Sequence, residues 1–303
     1  MPAAKPVFLI FGINGQVGWE LQRALSPLGT IHAFTRQQVD VSNLSTVQAI
    51  IRETKPTAIV NAAAYTAVDK AESDVALARR INAEAVAVMA AEAKRLGCWL
   101  VHYSTDYVFD GSKAGVYTET DPTAPLSVYG QTKREGEQAI TASGCQHLIF
   151  RTSWVYAARG NNFAKTMLRL ARERPELRVI QDQTGVPTSA ELIADVTVLA
   201  LYRLLHDPVF TQTASGIYNL VPSGQTNWHE YACLVLQHAQ QQGLALQPSP
   251  EKVRPIPTSD YPTPARRPLN SRLDTTKLCA TFNLHLPDWR HHVLRTLDTL
   301  LMA

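Results

Sequence analysis

A tyrosine and a lysine four residues apart, Tyr129 and Lys133 in SVYGQTKREGE (127–137), are the pair in this chain best suited to proton transfer. Residues i and i+4 on a helix are neighbours on one face, so helical folding stands the phenol beside the ammonium. A free phenol ionises near pH ~10, and a cation within roughly 4–6 Å stabilises the phenolate and lowers that value. The expectation is a tyrosine acid tuned downward by its lysine, as acid catalysis near neutrality requires. The same spacing occurs on many helices without any chemistry. The pair gains meaning only beside a second site.

That second site opens the chain. VFLIFGINGQVGWELQ (7–22) places Gly12, Gly15 and Gly18 between an apolar run of strand length and a helical segment. In that context glycines let the backbone turn tightly and approach a pyrophosphate, whose charge meets the helix N-terminal amides. The series Gly-x-x-Gly-x-x-Gly differs from the commoner Gly-x-Gly-x-x-Gly, and an ordinary glycine turn is the bland alternative. The second apolar run, IHAF (31–34), is followed by Thr35 and Arg36, with no carboxylate before Asp40. An NAD site places an acid there for the ribose 2′-hydroxyl, whereas a planar guanidinium suits a 2′-phosphate. NADPH is the expected cofactor, with NADH left open.

The elements that must position these residues alternate. VFLIF (7–11), IHAF (31–34), AIVN (58–61), WLVHYS (99–104) and HLIFR (147–151) read as strands. Helical-period segments lie between them, at 16–26, 43–54, 77–97 and 128–143, with Asn43 as an N-cap and Gly97 as a stop. Strands alternating with helices predict parallel βαβ units, hence an α/β, doubly wound sheet. After residue 151 the rhythm loosens. Further helices are expected over 161–174, 189–205 and 227–243. RPIPTSDYPTPARRPLNSR (254–272) holds too many prolines for a regular helix or a central strand.

Composition excludes several classes of function. The 303 residues are 45% hydrophobic and 18% charged with a net charge of +3, and the basic residues do not cluster. No nucleic-acid or membrane partner is expected. The four cysteines, Cys98, Cys145, Cys233 and Cys279, include no Cys-x-x-Cys pair, so reduced thiols are expected. The opening MPAAKPVFLIF is superficially like a secretory leader. Its apolar run passes into glycines, Gln16, Trp19 and Glu20 instead of a cleavage site, which favours a first strand in a cytoplasmic protein.

Several longer stretches, NAAAYTAVDKAE (61–72), VHYSTDYVFDG (101–111), YGQTK (129–133), FRTSWVYA, GNNFAKTMLRLA, DQTGVPTSAEL and YPTPARRPLNSRLD, together resemble the extended short-chain dehydrogenase/reductases. The resemblance spans nearly the whole chain. It implies a Rossmann-type dinucleotide-binding domain over 1–151 and a smaller, irregular, mainly substrate-binding portion over 152–303, some of whose segments return to the first domain. It also implies a catalytic triad of Thr105, Tyr129 and Lys133. Tyr129 would donate a proton to a sugar ketone as hydride arrives. Lys133 would hold the nicotinamide ribose and depress the tyrosine, and Thr105 would steady the developing alkoxide. Cofactor contacts are carried to Gly12, Asn14, Gly15, Gln16, Val17, Arg36, Asp40, Val41, Ala63, Ala64, Tyr65 and Thr66.

Substrate contacts are carried in the same way to Asp106, Trp154 and, for the diphosphate, Arg267, with Arg266 and Arg272 as rivals. The implied substrate is a 4-keto deoxysugar on a nucleotide, reduced for surface polysaccharide. Two rivals remain open: a related nucleotide-sugar reductase or epimerase, and a non-catalytic NADP-binding regulatory subunit. A homodimer is the partner the resemblance suggests. Some relatives bridge it with Mg2+ and glutamates. Glu20 and Glu191 match two of these, but Thr299 beside Asp298 stands where the late glutamate is expected, which speaks against the metal. His291 and His292 are expected at the surface and not as metal ligands.

Overall fold

The computed structural model describes residues 5–249 and 252–302; the first four residues of the leader-like opening lie outside them. The five expected strands form, as β1 (Val7–Phe11), β2 (Thr30–Phe34), β3 (Ala58–Asn61), β4 (Trp99–Thr105) and β5 (His147–Thr152). A sixth, β6 (Gly216–Asn219), comes from the second half of the chain and extends the sheet beside β5. The order is β6-β5-β4-β3-β1-β2 and every pairing is parallel. From β1 the chain crosses to β2 on one side and then to β3 on the other. That reversal opens a crevice at the carboxyl ends of the strands.

The principal helices are α1 (Gln16–Leu25), α2 (Leu44–Thr54), α3 (Ala85–Leu96), α4 (Val128–Ser143), α5 (Phe163–Glu173), α6 (Ala190–His206), α7 (Trp228–Gln241) and α8 (Trp289–Met302). Successive strand residues point to opposite faces. Phe8, Ile10, Val60, Val101 and Phe150 therefore meet α1 and α6, while Leu9, Phe11, Ile59, Leu100 and Ile149 meet α2, α3 and α4. Each such side chain stabilises the fold by roughly 1.5–3 kcal/mol. A third apolar cluster joins α5, α7 and α8 over a short parallel ladder of 177–180 with 253–256. Pro255 is accepted there because this ladder has only two strands.

Local signals explain the ends. The Asn43 side chain accepts the Thr46 N–H to start α2, and Gly97 at φ +68° closes α3. The continuous helix expected over 77–97 is interrupted by a π-turn at Arg80–Glu84. There α4 comes so close that a Cβ at Gly136 would collide with the Asn82 carbonyl. From this turn the Asn82 side chain bonds both backbone groups of Tyr65 and the Thr132 hydroxyl. It thereby ties the loop after β3 to α4.

Candidate active site

The glycine turn sits at the mouth of the crevice. A Cβ at Gly12 (φ +83°) would lie 2.6 Å from the Ala63 amide nitrogen, and one at Gly18 would strike the Gly12 carbonyl. Only glycine lets β1, the loop after β3 and α1 meet this closely. Gly15 is the N-cap of α1 and supplies no side-chain cap, so the helix keeps free amides for an anion. These residues fit a bound dinucleotide. A cleft of about 540 Å³ runs from this turn past Asn14, Gln16, Ala64 and Thr66 to Thr105, Asp106, Tyr129 and Lys133. Tyr65 turns its hydroxyl to Asp74, 3.1 Å away, and Ala63 is held by its amide to Asn61 Oδ1 at 3.1 Å. Arg36 and Asp40 stand further along, beyond β2, loosely paired at 3.6 Å, with Val41 buried beside them.

Helix α4 brings the reacting groups to β4. Ser127 caps it by accepting the Gly130 N–H, and a Cβ at Gly130 would strike the Tyr107 carbonyl. This contact presses the first turn against the end of β4, where Tyr129 meets Thr105. Thr105 Oγ1 donates to Asp106 Oδ1 at 3.0 Å and accepts the Tyr107 N–H at 3.1 Å. Asp106 is buried, its Oδ2 makes no well-formed hydrogen bond among the described residues, and burial pushes its carboxyl up to about 6 against the nearby Ser271 and Thr105 hydroxyls, which lower it.

One expectation fails here. Tyr129 is raised to about 12: burial outweighs the hydrogen bond with Thr105, which alone lowers it, and Asp106 raises it further. Lys133 does not act as the depressing cation. Its Nζ is directed at the Tyr103 carbonyl (2.6 Å) and His102 Nε2 (3.0 Å), and burial brings the amine itself down to about 8. The i, i+4 spacing aligned the two side chains, but burial raises the phenol and lowers the amine, which at about 8 still keeps most of its charge at neutral pH. At neutral pH the phenol therefore carries its proton.

The opposite wall of the cleft comes from the second half of the chain. Trp154, after β5, adopts φ +46°, a left-handed conformation that costs a bulky residue roughly 1–3 kcal/mol. Its ring stacks on Trp228 with centroids 3.6 Å apart, and a Cβ at Gly185 would intrude on it at 2.8 Å. Trp228 in turn donates to Gln183 Oε1 at 3.1 Å. It also lines a second cleft of about 560 Å³ with Leu170, Val179, Ile256, Arg174, Arg178 and Arg267. Arg267 pairs with Asp69 at 2.8 Å and reaches Tyr107, whereas Arg272 is spent on Asn270, Gln225 and the Ala114 carbonyl. Arg266 is exposed.

The remaining candidates lie elsewhere. Glu20 pairs with Arg23 and Glu191 with Arg295; among the described residues no three His, Cys, Asp or Glu side chains are grouped to hold a metal ion. His291 is exposed, but its expected surface neighbour His292 is half-buried with Nδ1 enclosed, because it flanks the inward-facing Val293. The sequence reading missed Trp228, Gln183, Asn82, Asn61 and His102. Of these only His102 left a signal, a polar residue inside an apolar strand run.

A parallel sheet with a glycine turn at its switch point, and a Thr/Tyr/Lys set where the end of β4 meets α4, defines the short-chain dehydrogenase/reductase class. Within it, the chain matches the family described as "RmlD substrate binding domain" over residues 7–302, and it belongs to that family. It is 53% identical to the dTDP-4-dehydrorhamnose reductase of Escherichia coli (strain K12) across 96% of this chain and 97% of that one. The dTDP-4-dehydrorhamnose reductase of Clostridium acetobutylicum superposes with a TM-score of 0.87 at 34% identity, covering 97% of this chain and 99% of that one. The Bacillus anthracis enzyme of the same name, solved in complex with NADP, gives 0.84 at 33% identity over 98% and 99%.

Proposed function

We propose that this protein reduces dTDP-4-dehydro-β-L-rhamnose to dTDP-β-L-rhamnose with NADPH, the last step in making that activated deoxysugar for surface polysaccharide. The observation that carries the reading is the meeting of Tyr129, Thr105 and Lys133 in one cleft with the glycine turn. The similarity to named reductases, one of them holding NADP, selects the substrate and the cofactor.

When bound, NADPH supplies the hydride. Tyr129, raised to about 12, retains its proton until negative charge develops on the sugar oxygen, and then yields it. Thr105 steadies that charge by turning its proton from Asp106 Oδ1 toward the substrate. The unpartnered Asp106 Oδ2 accepts a sugar hydroxyl. Lys133 faces the cleft with the N–H that Tyr103 and His102 leave over, available to a ribose hydroxyl. Trp154 and Trp228 offer a flat apolar wall to a deoxysugar. The neighbouring cleft, apolar at its base with Arg174, Arg178 and Arg267 around it, suits the nucleotide diphosphate. At the far end Arg36 suits a 2′-phosphate.

The reading includes a division of labour between residues 1–151 and 152–303, a cytoplasmic site of action and a homodimer that forms without bridging Mg2+. Among the described residues no helix is long and apolar enough to cross a membrane. Purified protein, the 4-keto sugar nucleotide and NADPH should lose nicotinamide absorbance, releasing NADP+ and product in equal amounts. An epimerase would keep its cofactor and return an epimer. No absorbance change with NADPH or NADH would overturn the reading.

A further inference from the structure

The active-site cleft meets an anion at its glycine turn with dipoles and little charge. Among the described residues that line it, Lys133 is the one cation, and it is buried beside Tyr129. A dinucleotide brings its doubly charged pyrophosphate to the other end, against the amides that open α1. A counter-charge for that end has to come from the rim.

The rim there is the segment 157–162, a strap that leads from β5 into α5. Its Gly160 and Asn161 line the cleft together with Asn14, Gly15, Gln16 and Val17. Gly160 adopts φ +75°, and a Cβ on it would stand 3.3 Å from Gln16 Cγ, so the strap lies against the first residue of α1. Asn162 fixes this arrangement. Its Nδ2 donates to the Ala157 carbonyl at 2.7 Å and to Gln16 Oε1 at 3.2 Å, which uses both amide hydrogens. Its Oδ1 accepts the Lys165 N–H at 3.1 Å and caps α5. The Lys165 ammonium is spent on the Ala158 carbonyl at 3.0 Å.

Arg159 is the cation that the strap carries to the rim. Its guanidinium lies 4.1 Å from the centroid of the Trp19 ring. Trp19 is the fourth residue of α1, and helical side chains lean toward the helix N-terminus, which sets the guanidinium near the opening amides. A guanidinium resting on a ring by its flat face keeps its N–H edge free. Among the described residues that edge meets neither a hydrogen-bond acceptor nor a carboxylate, and Glu20, next to Trp19, is taken by Arg23 at 3.3 Å. A contact that only steadied the strap would not need donors left unspent beside an anion site.

We propose that Arg159 is a further cofactor residue: carried by the strap and laid on Trp19, it meets the pyrophosphate of the dinucleotide from the rim of the cleft, with Trp19 and Asn162 as its positioning residues. The role rests on the nicotinamide-dinucleotide part of the proposed function and not on the sugar. Its charge serves NADPH and NADH alike, whereas the contact suited to Arg36 serves only the 2′-phosphate.

Calorimetric titration of the full-length protein with NADPH and with NADH tests the assignment without turnover. Arg159→Ala should weaken both cofactors about ten-fold at low salt and clearly less at high salt, because a charge-assisted contact near the surface is lost. Arg159→Lys keeps the charge without the planar fork and should weaken them about three-fold. Trp19→Leu leaves the charge but removes its platform, again about three-fold, and should add nothing to Arg159→Ala, since both act through one contact. Asn162→Ser retains a cap for α5 and drops the bonds to Gln16 and Ala157, so both cofactors should weaken about three-fold while the fold is kept. Three results for Arg159→Ala would overturn the proposal: affinities equal to the parent, a loss confined to NADPH, or a loss indifferent to salt. The last would reduce Arg159 to packing of the strap. A parent that binds both cofactors with the expected pattern but leaves the keto sugar unreduced would sink the reductase reading and keep Arg159 in this role.

Discussion

The two walls of the cleft are built on opposite plans. On the sheet side the polar groups are enclosed: Asn61, His102, Thr105, Asp106 and Lys133 are all buried, and each is bonded to a neighbour in the strands or α4. On the C-terminal side Trp228, Arg178 and Arg267 stand along open clefts and are held by a few contacts each. Proton transfer needs protonation states set in advance, and burial sets them. Recognition of a large charged nucleotide needs groups that can exchange water for ligand. Losses on the first wall should therefore appear in kcat and those on the second in KM.

The most severe break of this comparison is Tyr129→Phe, which removes the proton and keeps the ring. The variant should bind NADPH nearly as the parent does while kcat falls on the order of 10³-fold. Stopped-flow turnover beside fluorescence titration of the cofactor separates the two effects, and unchanged kcat would remove Tyr129 from the acid role. On the other wall, Arg267→Ala should raise KM for the nucleotide sugar about 10- to 100-fold with kcat within a few-fold, because it takes away a charged partner and leaves the reacting centre intact. A fall confined to kcat would instead assign Arg267 to the chemistry, through its contact with Tyr107.

Asp106 lies where the two walls meet and sharpens the contrast through stability. Its carboxyl is raised by burial to about 6. Above that value the folded protein bears the cost of a buried charge; below the usual carboxylate range both states are neutral and the cost vanishes. Asp106→Asn should therefore stabilise the fold by roughly 1–3 kcal/mol at about pH 7, a gain that fades as pH falls toward about 4. Thermal unfolding at the two pH values measures it. The same variant should bind sugar less well, trading recognition for stability.

The two halves also differed in how far the sequence foretold them. Strands β1, β3, β4 and β5 were legible because parallel strands buried on both faces read as apolar runs, β2 at the half-exposed edge by its short apolar run alone, and α4 because Ser127 and Gly144 bound its helical period. β6 was missed: GIYN is four residues long with a glycine at its edge, and only its pairing with β5 makes it a strand. In the site, the Thr105, Tyr129 and Lys133 set was visible as motifs. The depth at which the lysine is buried was not, since it depends on how α4 packs over β4. Trp228 was hidden for a related reason, because its stacking on Trp154 joins segments that share no local pattern.

The smallest expected effect tests the outermost part of the cleft. Arg36 has a side chain 73% exposed and meets Asp40 only at 3.6 Å, so solvent screens whatever it binds. A guanidinium facing a 2′-phosphate under those conditions is worth about 1 kcal/mol or less. Arg36→Ala should thus weaken NADPH by about five-fold at low salt and by less at high salt, leaving NADH affinity and kcat unaltered. Titrating both cofactors at two ionic strengths gives the comparison. Equal weakening of NADPH and NADH would mean that Arg36 supports the loop after β2 and does not read the phosphate, and cofactor choice would then have to come from another group at that edge.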